Sequence, residues 1–82
     1  MSWSYRVVKK VTKIPLGETD ITYEIHDVYL DESLDIVNIG RLSFPIGDDV
    51  ESLQWRLERM MEACKKPVID YNTGEEVNEE KD

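Results

Sequence analysis

A single cysteine, Cys64, leaves this chain with no internal disulfide framework and no cysteine-based zinc finger. His26 is the only histidine, and its strand neighbours Glu24 and Asp27 do not make a catalytic set with it. Glu24 shares its strand face, so a surface ion pair is the expectation. A metal would have to join His26 to carboxylates, and the acidic stretch Asp31, Glu32, Asp35 lacks the glycine and the spacing of an EF-hand. There is no P-loop and no GxGxxG. The reading therefore assigns no catalytic residue, no metal and no cofactor. No apolar run approaches the roughly 18 residues of a membrane span. The opening MSWSYRVVKK lacks the apolar stretch of a secretory signal, so the expected address is cytoplasmic. Positive charge is also short. Ten Lys and Arg face 18 Asp and Glu, a formal net charge of −8, which argues against general nucleic-acid binding.

What is present fits one small domain of 82 residues, 40% apolar. A chain of this size buries only a modest core, so a homodimer or a protein partner is expected to add to it. Glycine and proline number only four and three, and mostly mark boundaries. The stretch 2–14 is rich in β-branched and aromatic residues and reads as a first strand. Pro15 and Gly17 end it. Residues 21–30 alternate as a second strand. The polar segment 31–35 lacks the glycine of the tightest hairpins, which predicts a looser loop. Residues 36–44 form a third strand, in which Gly40 marks a bulge or a close backbone approach.

The helix signal follows. Asp48 is the expected N-cap, with Glu51 completing a capping-box pair, and Pro67 is the stop. Val50, Leu53, Leu57, Met60, Met61 and Cys64 fall on one stripe, expected to be buried. That placement makes Cys64 a structural, inert thiol. Val68, Ile69 and Tyr71 suggest a short terminal strand, and Asn72-Thr73-Gly74 a turn into a hairpin ending near Val77. The expected fold is thus α+β: a three- or four-stranded antiparallel sheet with one C-terminal amphipathic helix on one face. The domain is placed at 1–71. An acidic, flexible tail is placed at 72–82, where five of the last eight residues are acidic.

Two surfaces are candidates for a partner. Counting 100° per residue, Trp55 lies opposite the apolar stripe, among Glu51, Glu58, Arg59 and Glu62. Such a tryptophan is either an interface anchor or a cover over a loop. Alternation also puts apolar groups on both faces of the sheet. Tyr5, Val7, Val11, Tyr23, Ile25, Tyr29, Ile36, Leu42 and Phe44 are assigned to the face under the helix. Val8, Val28, Leu30, Val37 and Ile39 are assigned to the other. One helix cannot cover both faces. Val28, Leu30, Val37 and Ile39 are therefore the second candidate interface, for a partner or a second copy, unless a slipped register or the tail disposes of them.

Charge adds two further readings. Arg6, Lys9, Lys10 and Lys13 make a basic first strand that could bind nucleic acid, although edge lysines more often discourage edge-to-edge pairing. Residues 48–82 hold eleven acids against five bases. Such an acidic surface suits an inhibitor of phage type that occupies the basic groove of a nucleic-acid enzyme.

The strings SWSYRVV, YEIHDVYLD and LQWRLERMMEACKKPVIDY together resemble a group of short bacterial proteins of uncharacterised function. Their pattern is SWxYRV, YxIHxVYxD and KPVxD in that order. The resemblance spans residues 2–71 and is weakest from 31 to 47. It implies a cytoplasmic sheet-plus-helix domain and carries no activity or cofactor with it. The reading favoured by the residues is a non-enzymatic protein-interaction or accessory module.

Overall fold

The computed structural model describes residues 2–77. Strand β1 is Ser2–Lys13, β2 is Thr19–Leu30 and β3 is Ile36–Leu42; helix α1 is Val50–Ala63; β4 is Val68–Asp70 and β5 is Glu76–Val77. The fold is α+β, one sheet in the order β3-β2-β1-β4-β5 with one helix. The sheet is five-stranded and mixed, where three or four antiparallel strands were expected. β4 runs parallel to β1, with Val8 opposite Ile69. The cause is the connection. β3 runs in the same sense as β1, and the helix carries the chain over the sheet to a strand that must start at the same end. The helix is accordingly mid-chain, followed by two more strands.

β1 and β2 pair along their whole length, from Ser2 opposite Leu30 to Lys13 opposite Thr19. This register puts odd-numbered β1 residues on the helix face. There Tyr5, Met60 and Ala63 form a small buried cluster, with Ile25 packed against it. The second face holds its own cluster, Val8, Val28 and Ile69, all wholly buried, flanked by Leu30, Ile36 and Ile39. The second face is therefore largely covered within the chain. Ile69 of β4 widens the face beside Val8, and Tyr71 in the turn that follows lies against His26 and Lys10 on it; both lie outside the three strands on which the open-face expectation was built.

Two bulges in β3 change the expected parity. His26 faces Leu42 and Val28 faces Ile39, which leaves an extra residue on β3 near Gly40; a second slip lies between Asn38 and Ile36. Ile36 and Leu42 consequently join the second face. Gly40 has no room for a side chain: a Cβ there would meet the Tyr29 ring at 2.8 Å and Asp27 O at 3.0 Å.

The helix also departs from expectation in two ways. Its N-cap is Asp49, whose side chain accepts from Ser52 N at 2.7 Å, so the cap is one residue later than Asp48. Gly47 lies so tightly on the first turn that a Cβ would fall 2.4 Å from Leu53 N. Rotation is the second departure. Met60 and Ala63 are buried with Leu53 half-buried, whereas Val50, Leu57 and Met61 are exposed and Cys64 is exposed rather than buried. The helix packs mainly on β1, so only one edge of its apolar stripe finds the sheet.

The turn after β4 is organised by Asp70, whose Oδ1 accepts from Asn72 N at 2.7 Å and Thr73 N at 3.1 Å. Gly74 closes it at φ 73°, in the left-handed region that favours glycine. The predicted hairpin through Val77 is present, so residues 76–77 belong to the sheet, beyond the boundary expected at 71. The remainder of the expected flexible tail, residues 78–82, lies outside the described residues.

Candidate functional site

Trp3 stands on the helix-side face of β1, two residues before Tyr5, and their rings meet edge to face with centroids 5.0 Å apart. Across from them, α1 presents Trp55 and, one turn later, Arg59. The Arg59 guanidinium lies over the indole, 5.0 Å from its centroid. A cleft of about 340 Å³ separates the two elements, lined by Trp3, Ser4, Tyr5, Trp55, Arg59, Glu62 and Lys66. Both tryptophans are 52% exposed, so half of each indole faces water at the mouth. The rim is held by Lys66 Nζ, which donates to Ser4 Oγ at 3.1 Å, and Ser4 Oγ donates to Tyr5 O at 3.2 Å. Glu62 accepts from Lys65 Nζ at 3.4 Å on the exposed helix face.

The chemistry gathered here is that of recognition. Two indoles and a phenol ring give flat apolar walls, and Arg59, Lys66 and Glu62 give charges of both signs at the edge. Such a cleft accepts a partner's apolar or aromatic side chain. Of the helix residues singled out in the sequence, Trp55, Arg59 and Glu62 meet here. Glu51 lies on a separate 680 Å³ depression around the helix start, shared with Ile46, Asp48, Arg56 and Trp55. Glu58 is exposed elsewhere on α1. Trp3 lines the cleft although it was not among the candidate interface residues. The available signal was its parity with Tyr5, which puts it on the helix side.

The second candidate surface fares differently. Val28 is wholly buried and has no surface for a partner; Leu30 and Ile39 are half-buried beside it, and only Val37 is exposed, at 52%. The four residues do not form an open face because Val28, Leu30 and Ile39 pack together with Val8, Ile36 and Ile69.

The basic strand is divided as well. Arg6 and Lys10 point to one face, Lys9 and Lys13 to the other. Arg6 is buried and spent inside the molecule: its Nη2 donates to Pro67 O at 2.6 Å and to Glu76 Oε2 at 2.8 Å. Lys10 Nζ sits 4.7 Å from the Tyr71 ring centroid. The four therefore do not make one basic stripe for a phosphate backbone.

His26 does pair with Glu24, Nε2 lying 3.0 Å from Oε1, but the ring is buried and not on the surface. Its Nδ1 lies 3.1 Å from Gly40 O, so the histidine braces the β3 bulge. Among the described residues, no group of three or more His, Cys, Asp or Glu is placed to hold a metal ion. Nor is any helix among them long and apolar enough to cross a membrane. No protein-family model, curated protein or solved structure matches this chain.

Proposed function

We propose that this protein is a non-enzymatic protein-interaction module whose partner docks on the Trp3–Trp55 cleft. The observation that carries the reading is the pair of half-exposed indoles flanking one 340 Å³ cleft. An exposed indole forgoes a large burial energy, and tryptophan and arginine are the residues most enriched among interface anchors. Two tryptophans and an arginine stacked on one of them supply such a cluster, with a charged rim to exclude water around it.

The test is affinity capture from source-organism lysate with wild type, Trp55→Glu, Trp3→Glu and the remote control Lys13→Glu, read by quantitative mass spectrometry. Circular dichroism first establishes that each variant is folded. A hot-spot contact is worth about 2 kcal/mol or more, so each tryptophan variant loses its partner at least about tenfold while Lys13→Glu keeps it. A partner held equally by all four proteins contradicts the reading.

A further inference from the structure

Both ring nitrogens of His26 face oxygens that accept. Nδ1 lies 3.1 Å from Gly40 O, and Nε2 lies 3.0 Å from Glu24 Oε1. A backbone carbonyl has no proton to give, and neither has an ionised carboxylate. A neutral imidazole carries one N–H. It satisfies one of the two contacts and turns a bare lone pair toward the other oxygen. Two contacts at hydrogen-bond distance on one ring therefore require one proton more than a neutral histidine and a carboxylate hold together. That proton sits on Nε2 or on Glu24 Oε1, and in either place it lies in the same hydrogen bond.

We infer that His26 and Glu24 form a proton-operated latch: the pair is fastened while it holds that extra proton and opens when the proton leaves. The two contacts are not equally replaceable. The Glu24 side chain is 26% exposed and that of His26 only 6%. Glu24 can turn its carboxylate to water, whereas the ring is buried and has no such exit. The remaining proton therefore stays on Nδ1, the β3 bulge keeps its brace, and Glu24 is the side released. The surroundings make the pair depend on this one proton. From β1, Arg6 stands opposite His26, its own Nη2 given to Pro67 O and Glu76. From the turn after β4, the Tyr71 ring lies 6.1 Å from the imidazole, with Lys10 Nζ 4.7 Å from the Tyr71 centroid. β3 presents the Gly40 carbonyl and Leu42, and α1 lies on the opposite face of the sheet. The cations on this face repel a charged ring, and the Glu24 carboxylate is what holds it. The latch lies on the face opposite the tryptophan cleft and does not depend on it.

The test is NMR of the folded protein from about pH 5 to about pH 9, the span in which histidine changes charge, with ¹⁵N in the ring and ¹³C in Glu24. At the acid end both ring nitrogens carry a proton signature, and the Glu24 side chain gives an NOE to the ring hydrogens. As the extra proton is lost, that NOE disappears in the same pH step, while the Nδ1–H signal and the β3 amides remain. Glu24→Gln keeps the contact without the extra proton, because its amide N–H donates to a bare Nε2. In that variant the NOE persists across the whole range. Three results overturn the inference: an NOE that survives loss of the extra proton in the wild type, a proton count on the pair that does not change across the range, or the same loss of contact in Glu24→Gln.

Discussion

At the scale of single residues, two small groups decide local geometry. Gly40 lets the β3 bulge press against Tyr29 and against the backbone of Asp27. Gly40→Ala forces a Cβ into that contact, and the backbone oxygen at 3.0 Å cannot swing aside as a ring can. The expected loss is about 1–3 kcal/mol in urea unfolding, with the His26 brace to Gly40 O disturbed as well. Asp49 is the other. The hydrogen bonds from Ser52 hold its carboxyl below the usual range, because they favour the charged form. The depressed value means that this contribution is complete above the ordinary carboxylate pKa and fades as pH falls through the lowered one. Asp49→Ala therefore frays the first helical turn at neutral pH, seen as faster amide exchange at Ser52 and Leu53, and removes that acid-side dependence. Asp49→Ser, which also caps, restores protection. The aspartate cap was legible in the sequence to within one residue. Two adjacent aspartates, Asp48 and Asp49, offer the same capping group, and the local pattern does not choose between them.

At the scale of elements, a side chain from the other end of the chain adds to the backbone pairing that holds the last hairpin. β5 has only two residues, and Arg6 clasps Glu76 of β5 together with the carbonyl of Pro67 at the entry to β4. The two partners are unequal. Glu76 is 53% exposed, so water screens and replaces its half of the pair, whereas Arg6 is 9% exposed. Glu76→Gln is expected to cost less than about 1 kcal/mol. Arg6→Ala removes buried packing and leaves the Pro67 carbonyl without its donor, at a cost of about 2–3 kcal/mol. Paired chemical denaturation curves measure both, and equal losses would contradict the asymmetry. The three long strands and the helix were readable because alternation and the 3.6-residue stripe extend over many residues. The strand parity failed in β3, where two bulges moved Ile36 and Leu42 to the other face. The helix rotation was unreadable for another reason. The stripe at Val50, Leu57, Met61 and Cys64 is as apolar as the edge at Leu53 and Met60 that is used, and only the position of β1 selects between them.

At the scale of the whole molecule, the buried apolar clusters among the described residues are small: three residues each, on opposite faces of one sheet. The second was expected either to await a partner or to be disposed of by a slipped register, a bulge or the tail. Ile69 extends that face beside Val8, because β4 returns parallel to β1, and Tyr71 in the turn that follows lies against His26 and Lys10 on it. Strand direction and long-range closure are set by the crossover, and three residues of β4 carry no periodicity from which to infer them. With that face covered, the proposed docking rests on the helix side, where Trp3 and Trp55 are each 52% exposed. Trp55 was marked from its position opposite the apolar stripe; Trp3 gained its role only when β1 brought it to the helix. The most direct measurement is photo-crosslinking in the source organism, with benzoylphenylalanine placed at Glu62 on the cleft rim or at Lys13 at the far end of β1. The account predicts one dominant protein adduct from position 62, lost with Trp55→Glu, and none from position 13. The same adduct from both positions, or one from 62 that survives Trp55→Glu, would contradict it.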